Sequence, residues 1–308
     1  MKPLTIGTRG SALAIAQVEM TERALAEVFP GREIVRKVIS TTGDRRTDVP
    51  LSQVAKSEGV LDKGVFTKEL EVALENGEID LAVHSMKDVP TVLADHFVIT
   101  GVLERAPVRD VLLSKNQDGL DGLKENAVVA TSSVRRQRQL LHLRPDLKLV
   151  DIRGNVPTRI EKLAGNPELD AIMLAEAGLV RLGYDMAAEL DSGVFAHALE
   201  PDVFLPAAGQ GIVGFETRAG DVDAADAALA ITHGSSMLQC RAEREFLRLL
   251  DAGCHTPVGV HSRLDDGELF MSARVFDEES KEPPREAEVD GAASEPEKVA
   301  AELYARVV

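Results

Sequence analysis

The stretch Phe66–His84, FTKELEVALENGEIDLAVH, contains a helix that leads directly into a strand. Leu70 and Leu74 recur at the spacing of one helical face. Gly77 can end this helix, because glycine readily adopts the left-handed conformation found just past helix C-termini. The apolar run Asp80–His84 that follows is typical of a buried strand. This order predicts an α/β fold with mostly parallel strands.

Strands and helices alternate on both sides of that stretch. The other predicted strands of this region are Lys2–Thr8, Glu33–Ser40, Asp110–Ser114, Ala127–Thr131, Lys148–Ile152 and Ala171–Leu174. The other predicted helices are Ser11–Phe29, Val134–Leu143 and Pro157–Ala164. Two successive α/β units predict two similar lobes with a cleft between them. A ligand would lie where strand ends and helix N-termini meet.

After about residue 220 the pattern becomes that of a small α+β domain. The predicted elements are helices Ala224–Ile231, Met237–Leu250 and Pro296–Val307 and strands His255–Arg263, Glu268–Val275 and Arg285–Val289. Short strands divided by turn residues and flanked by helices are typical of such a domain.

Composition and charge exclude several classes of protein. The 308 residues are enough for two or three domains. A net charge of −16 argues against nonspecific nucleic-acid binding. The sequence has no signal segment after Met1, no apolar run near the roughly 18–20 residues of a membrane span, and two cysteines. We therefore expect a cytoplasmic protein without a disulfide framework.

Basic side chains concentrate in one part of this acidic chain. Between Thr131 and Arg181 there are seven arginines: Arg135, Arg136, Arg138, Arg144, Arg153, Arg159 and Arg181. Several follow predicted strand ends and begin helices, where backbone N–H groups already attract anions. Arg9, in Thr8–Ser11, repeats this arrangement in the first lobe. The pattern favours a cleft that binds several carboxylates or phosphates, the alternative being solvated surface arginines.

Asp88 follows a buried strand in His84-Ser85-Met86-Lys87-Asp88. A carboxylate at a strand end, beside a lysine and near arginines, is a candidate proton donor or stabiliser of a cation. From the pattern alone, a turn aspartate is the more common explanation. His84 alone is more often a structural histidine than a base.

Cys254 lies in the turn-like stretch Ala252–Gly259, AGCHTPVG. It could be a nucleophile, a covalent anchor or a harmless turn residue. Cys240, within the predicted helix, is expected to pack in the core. These cysteines and His255 offer too few ligands at familiar spacings for a metal site.

Nine stretches, in order and with matching spacing, resemble the porphobilinogen deaminase (hydroxymethylbilane synthase) family over nearly the whole chain. They are Gly7–Ala14 (GTRGSALA), Ser40–Asp44 (STTGD), Phe66–Glu71 (FTKELE), Asp80–Thr91 (DLAVHSMKDVPT), Ala130–Gln137 (ATSSVRRQ), Ile152–Arg159 (IRGNVPTR), Ala177–Gly183 (AGLVRLG), Leu205–Gly214 (LPAAGQGIVG) and Ala252–Gly259 (AGCHTPVG).

The resemblance implies a transferase of porphyrin and haem biosynthesis. In this family a dipyrromethane primer is bound by a thioether to the cysteine that matches Cys254. Four porphobilinogen molecules add to the primer in turn, each losing ammonia, and hydrolysis releases the linear tetrapyrrole hydroxymethylbilane. Neither a metal nor a nucleotide is required, and the family is usually monomeric.

The resemblance also implies roles for individual residues. Asp88 matches the catalytic aspartate, which helps protonate the leaving amine and stabilises cationic intermediates beside the pyrrole nitrogen. The residues expected to bind the acetate and propionate groups of substrate and cofactor are Arg9, Ser11, Lys87, Ser133, Arg135, Arg136, Arg153, Arg159 and Arg181. Gln210 is expected to touch substrate or cofactor, and Lys63 matches a lysine of the family's mobile lid.

Two places depart from the family pattern. The loop Pro50–Phe66, PLSQVAKSEGVLDKGVF, is longer than usual and has Gln53 where a lysine often lies, which puts the lid contacts in doubt. Ala252 stands where the family often has glycine, a small change unless that position needs a positive φ.

The implied fold has two periplasmic-binding-protein-like (type II) lobes with mixed, mostly parallel sheets and a small α+β C-terminal domain with a three-stranded antiparallel sheet. The expected domains are residues 1–104 with 212–230, residues 105–205, and residues 231–308. The first domain is expected to gain a strand near 212–230, where the chain returns to it. Two other functions are considered: a two-lobed binding protein for an anionic small molecule, and an enzyme inactivated by its altered loop. Ammonia release from porphobilinogen distinguishes the predicted enzyme from both.

Overall fold

The computed structural model describes residues 2–45, 62–187, 189–190, 193–253, 256–277 and 282–308. The strands are β1 (Leu4–Thr8), β2 (Ile34–Val38), β3 (Leu81–Ser85), β4 (Phe97–Val102), β5 (Asp110–Ser114), β6 (Val128–Ala130), β7 (Lys148–Val150), β8 (Ala171–Ala175), β9 (Phe195–Leu199), β10 (Val213–Arg218), β11 (Val258–Asp265), β12 (Glu268–Val275) and β13 (Arg285–Ala292). The helices are α1 (Ala12–Val28), α2 (Thr42–Arg45), α3 (Lys68–Glu75), α4 (Val134–Leu143), α5 (Val156–Gly165), α6 (Glu176–Arg181), α7 (Val222–Ala230), α8 (Gly234–Leu249) and α9 (Pro296–Val307).

The first lobe is built on a five-stranded sheet in the order β2-β1-β3-β10-β4. Strand β1 runs parallel to β2 and β3. Strand β10, from much later in the chain, runs antiparallel between β3 and β4. Helix α1 covers the sheet because its residues Ala14, Val18 and Leu25 form one buried stripe.

The second lobe repeats this plan with the order β7-β6-β8-β5-β9. Strand β6 is parallel to β7 and β8, whereas β5 is antiparallel to β8 and β9. In both lobes, then, three parallel strands are followed by an inserted antiparallel strand and an edge strand. The predicted pair of similar lobes with mixed, mostly parallel sheets is confirmed.

The C-terminal unit has the predicted three-stranded antiparallel sheet, in the order β11-β12-β13. Phe246 of α8 and Leu303 of α9 are fully buried in its core. Within the described residues, no helix has both the length and the apolar character needed to cross a membrane.

The chain crosses between the lobes twice, from β4 to β5 and from β9 to β10. Two strands outside the predicted set, β4 and β9, occupy edge positions of their sheets. Strand β9 is only half-buried along its length, so its sequence, FAHAL, lacks the continuous apolar run of a central strand.

Candidate active site: an arginine-lined cleft

A cleft of about 700 Å³ separates the two lobes. In the part of the chain that the structure describes, seven basic side chains line it: Arg9, Lys87, Arg135, Arg136, Arg153, Arg159 and Arg181. Among the described residues, the carboxylates that line it are those of Asp44 and Asp88. The cleft is therefore strongly cationic in a chain whose net charge is −16. Such a site concentrates anionic ligands.

Three helices begin at this cleft, each with a side-chain cap. Ser11 accepts a hydrogen bond from the Ala14 amide at the start of α1. Ser133 caps α4, and Asn155 caps α5 by accepting from the Thr158 amide at 3.0 Å. All three caps line the cleft, so the positive ends of the helix dipoles add to the charge of the side chains.

Arg135 and Arg136 lie in the first turn of α4 and are 6% exposed. Both bind Asp110, at the start of β5, which is fully buried. Arg135 Nη1 donates to Asp110 Oδ2 at 2.6 Å, and Arg136 Nε donates to Asp110 Oδ1 at 2.8 Å. Burial alone would raise the pKa of Asp110, but the two guanidinium groups lower it to about 2. One carboxylate thus orients two cations and leaves a net positive charge.

Gln210 connects this cluster to the second crossover. Its Nε2 donates to the Val108 carbonyl at 2.7 Å and to Asp110 Oδ1 at 3.3 Å. Its Oε1 is buried and has no hydrogen-bond partner among the described residues. An unsatisfied acceptor at the cleft wall fits an N–H donor on a bound molecule.

Arg9 belongs to the opposite wall. Its guanidinium forms a bidentate ion pair with Asp44 and lies 4.1 Å from the centre of the Phe66 ring. Burial would raise the pKa of Asp44, but the hydrogen bonds and charge of Arg9 lower it. Asp44 also accepts from Thr41 Oγ1 at 2.8 Å, so the pair is fixed from both sides.

Two other arginines have only backbone acceptors among the described residues. Arg159 Nε donates to the Gly154 carbonyl at 2.7 Å, and Arg181 Nη2 donates to the Gly211 carbonyl at 2.6 Å. Burial lowers the pKa of each to about 10, with Arg136 and Arg153 contributing at Arg159. Arg181 Nε is buried without an acceptor in the described structure. These groups are suited to pair with carboxylates brought in by a ligand.

Lys87 and Asp88 lie in a single 3-10 turn, Met86–Asp88, directly after β3. Burial lowers the pKa of Lys87 to about 8; Arg136 acts in the same direction, and Asp88 opposes it. None of the described residues donates a hydrogen bond to the Asp88 carboxylate. Its oxygens are therefore available to a substrate in the cleft.

The neighbouring Met86 is buried and fills a space made by two glycines of the returning segment. A Cβ on Gly214 would overlap Met86 Sδ, and a Cβ on Gly209 would lie 2.9 Å from Met86 Cβ. Gly209 also has a φ of 69°, which favours glycine. The close approach of these backbones determines where the following Lys87 and Asp88 lie.

The cleft brings together nearly all of the residues predicted from sequence. Those that line it are Arg9, Ser11, Lys87, Asp88, Ser133, Arg135, Arg136, Arg153, Arg159, Arg181 and Gln210. The side chain of Lys63 and the whole of Cys254 lie outside the described residues. Arg138 and Arg144 lie elsewhere, donating to the Asp277 carbonyl and to Asp146. His84 is a structural histidine, paired with the buried Glu216 at 2.8 Å.

Sequence reasoning missed three contributors, Asp44, Phe66 and Asp110. Asp110 is the first residue of the apolar strand DVLLS. A carboxylate in a buried strand requires a cation or hydrogen-bond donors beside it, and this is a signal that the sequence offered. Asp44 and Phe66 lie in motifs quoted above, but their contacts with Arg9 span 35 and 57 residues. Such pairings depend on the tertiary fold.

Family models match almost the whole chain. The model described as "Porphobilinogen deaminase, dipyromethane cofactor binding domain" matches residues 4–226, and "Porphobilinogen deaminase, C-terminal domain" matches residues 237–307. The chain belongs to the porphobilinogen deaminase family.

Curated relatives agree with this assignment. The porphobilinogen deaminase of Chlorobaculum parvum is 43% identical over 300 residues, covering 97% of this chain and 91% of that protein. The porphobilinogen deaminase of Chlorobium chlorochromatii is 44% identical over 274 residues, covering 89% of this chain and 83% of that protein.

Comparison with solved structures finds proteins of low overall similarity to this chain. A mutant of OxyR from Corynebacterium glutamicum has a TM-score of 0.44 and 12% identity, covering 79% of this chain and 67% of that one. The alkanesulfonate-binding protein SsuA from Xanthomonas axonopodis pv. citri has a TM-score of 0.37 and 14% identity, covering 82% and 76%.

Membership in the porphobilinogen deaminase family confirms the predicted function and enzyme class. The activity is that of a transferase of tetrapyrrole biosynthesis, which condenses four porphobilinogen molecules into hydroxymethylbilane. The cofactor of the family is dipyrromethane, as predicted.

Proposed function

We propose that the cleft between the lobes is where the porphobilinogen deaminase reaction takes place, with Asp88 as its catalytic carboxylate. The observation that carries this proposal is the charge of the cleft, to which the described residues contribute seven basic side chains and two carboxylates. Each pyrrole ring of substrate and cofactor has an acetate and a propionate group. A growing chain is therefore a polyanion that requires many fixed cations.

The residues of the cleft fit dipyrromethane. Buried Arg181 Nε has no acceptor and buried Gln210 Oε1 no donor among the described residues, which matches a ligand with carboxylates and pyrrole N–H groups. Arg135, Arg136 and Ser133 would hold its carboxylates on the side of the second lobe. When bound, dipyrromethane supplies the free pyrrole end to which porphobilinogen units are joined. We propose Cys254 as its thioether anchor, on the strength of the AGCHTPVG motif.

The arginines of the cleft differ in the acceptors that their guanidinium groups already have. Arg159 has only a backbone acceptor among the described residues, so its guanidinium is available for a substrate carboxylate. Arg9 is paired with Asp44, and a substrate carboxylate would share or replace that contact. Arg153 and Ser11 complete the proposed binding residues, and Lys63 is proposed for the lid by its place in the sequence.

Asp88, which lines the cleft, is the group we propose for proton transfer at the substrate amine. The C–N bond of porphobilinogen breaks as ammonia leaves with the bonding electron pair, and the positive charge passes to the substrate pyrrole. A carboxyl group donates a proton to the departing nitrogen, and its carboxylate then stabilises the cation through the pyrrole N–H. After the new C–C bond forms, the same carboxylate accepts the proton released from the ring.

We propose three domains: residues 1–104 with 212–230, residues 105–205, and residues 231–308. The membership of the strands in the three sheets supports these boundaries. The proposal also includes a monomeric enzyme in the cytoplasm, acting on porphobilinogen and on no nucleic acid, in agreement with the acidic composition.

Intact mass under denaturing conditions, combined with an ammonia assay, tests the proposal. We expect a mass above that of the sequence by two linked pyrrole units, its loss in Cys254→Ser, and ammonia release on addition of porphobilinogen. Bare protein that stays bare after incubation with porphobilinogen or hydroxymethylbilane, and that releases no ammonia, would instead indicate an anion-binding protein. Normal cofactor content in Cys254→Ser would move the anchor elsewhere, with Cys240 next to be tested.

A further inference from the structure

The position of the Asp88 carboxylate depends on the backbone of its turn. None of the described residues bonds to the carboxylate itself, so no side-chain partner holds it in place. On one side, the turn is attached to the first lobe: the Met86 amide donates to the Ile212 carbonyl at 3.0 Å, and Met86 packs against Gly209 and Gly214. What lies on the other side is a helix of the C-terminal unit.

That helix is α8, which runs along the first lobe. At its start, the His233 amide donates to the Val102 carbonyl at 2.9 Å, and Ser236 Oγ accepts from the Arg105 amide at 2.8 Å. One turn later, Cys240 is buried in a cluster with Met86 and Val89, the residues on either side of Lys87 and Asp88. The turn is thus packed between the returning segment and α8.

Arg244 of α8 makes the polar contact to this turn. Its Nη2 donates to the Pro90 carbonyl at 2.9 Å and to the Thr91 carbonyl at 3.1 Å, two and three residues after Asp88. No described carboxylate lies within ion-pair distance of Arg244. Burial lowers the pKa of Arg244, with Cys240 and Glu216 acting against it. A half-buried guanidinium whose acceptors among the described residues are all carbonyl groups is costly to desolvate, which argues against a purely incidental contact.

Helix α8 also leads to the proposed cofactor anchor. It ends at Leu249, five residues before Cys254. The same helix therefore contacts the segment that follows Asp88 and precedes the cysteine proposed to hold the growing chain. A displacement of α8 would be transmitted to the turn through Arg244.

We propose that Arg244 is a positioning residue for catalysis: by holding the Pro90 and Thr91 carbonyls, it sets the Asp88 turn relative to the C-terminal unit. This inference rests on the proposed role of Asp88. Misplacement of a reacting group by about 1 Å can slow an enzyme by about a hundredfold. Losing this contact should therefore lower kcat much more than it changes substrate affinity.

The test compares Arg244→Met and Arg244→Lys with Arg248→Met in the primer-loaded, full-length enzyme. Arg248 is a matched control, since it lies one turn further along α8, is exposed, and pairs with Glu245. For each variant, intact mass gives the fraction loaded with primer, and kcat is expressed per loaded molecule. KM for porphobilinogen, the pH profile of kcat and the melting temperature are measured on the same samples.

We expect Arg244→Met to keep the primer, to lower kcat at least tenfold with KM within about threefold, and to shift the pH profile of kcat. The kcat of Arg244→Lys should lie between those of Arg244→Met and wild type, because an ammonium group replaces the planar guanidinium group. Arg248→Met should match wild type. A wild-type kcat per loaded molecule in Arg244→Met would overturn the inference, even if the melting temperature fell, because Arg244 would then only stabilise the fold.

If Arg244→Met does not fold, Arg244→Lys decides alone: at least a threefold loss of kcat per loaded molecule supports the inference, and a wild-type value overturns it. Failure of the proposed function is distinguishable, because wild-type enzyme would then release no ammonia.

Discussion

Asp110 Oδ2 accepts a hydrogen bond from Arg135 Nη1 at 2.6 Å in the interior of the second lobe, and Arg135 in turn lines the cleft. Since Asp110 also binds Arg136, a carboxylate that does not line the cleft determines the orientation of two cations that do. The substrate-binding surface is thus supported by a residue that need not touch substrate.

Asp110→Asn should destabilise the protein, because it removes the charged carboxylate to which two buried guanidinium groups are both bound. A loss of about 3–5 kcal/mol in the free energy of unfolding is expected from breaking a buried ion pair. Chemical denaturation measures this loss, and intact mass measures the accompanying loss of primer. Asp146→Asn is the matched control, because Asp146 pairs with Arg144 at the surface, and its unfolding should resemble wild type. An Asp110→Asn variant as stable as wild type would contradict the account.

Acid should remove the same stabilisation. The folded pKa of Asp110, about 2, lies below the ordinary value of 3.8. The ion pair therefore contributes fully above pH 4, and its contribution declines as the pH falls from about 4 towards 2. Unfolding midpoints of wild type and Asp110→Asn, measured between pH 6 and pH 2, should converge in that interval. Parallel curves down to pH 2 would show that another group accounts for the acid sensitivity.

Asp88→Ala should abolish turnover and leave the fold and cofactor content nearly unchanged. Since no described residue makes a hydrogen bond or ion pair with the carboxylate, its removal breaks no such bond in the part of the chain that the structure describes. Ammonia release from porphobilinogen, circular dichroism and intact mass give the three readouts. A variant that keeps more than a tenth of the wild-type rate would remove Asp88 from its proposed role.

Substrate affinity should weaken as the pH rises past about 8. The pKa of Lys87 is lowered to about 8, so Lys87 loses its charge above that pH and attracts substrate carboxylates less. Binding of an anion raises this pKa, so the effect is expected in the free enzyme, that is, in kcat/KM. Lys87→Met should lower kcat/KM near pH 7 and flatten the alkaline limb. If wild type and Lys87→Met decline in parallel above pH 8, a different group titrates there.

Gly214→Ala should disturb the Asp88 turn through Met86. The added Cβ would overlap Met86 Sδ inside a packed cluster. Overpacking of this kind typically costs about 1–3 kcal/mol of stability, and kcat should fall with it. Gly165→Ala provides the control, because Gly165 ends α5 with no heavy atom within 4 Å of its added Cβ. Equal kcat in both variants would mean that the packing of Met86 against Gly214 does not position the Asp88 turn.

Local patterns predicted much of the fold because the relevant signals are short-range. The apolar run of β3 and the N-cap at Ser133 each depend on neighbours within a few residues. The half-buried edge strand β9 has no such signal, and it is held by pairing with β5 across more than 80 residues of chain. Long-range pairing of that kind cannot be read from periodicity.

The residues of the site also fall into those with a local sequence signal and those placed by long-range contacts. Arg135 and Arg136 could be predicted because they follow a strand end and begin a helix. Their partner Asp110 lies 25 residues earlier, and the contact of Arg244 with Pro90 spans 154 residues. Motif matching predicted roles for Asp88 and Cys254. Only Asp88 can be compared with the structure, because Cys254 lies outside the described residues.

The insertion of β10 between β3 and β4 has a consequence for synthesis of the chain. Strands β1 to β4 leave the ribosome first. Their sheet lacks β10, the strand that separates β3 from β4, until Arg218 has emerged. The second sheet is complete in sequence by Leu199. The N-terminal lobe is therefore the later of the two to close, and a nascent chain that stalls between these points exposes the unpaired edges of β3 and β4 to the cell.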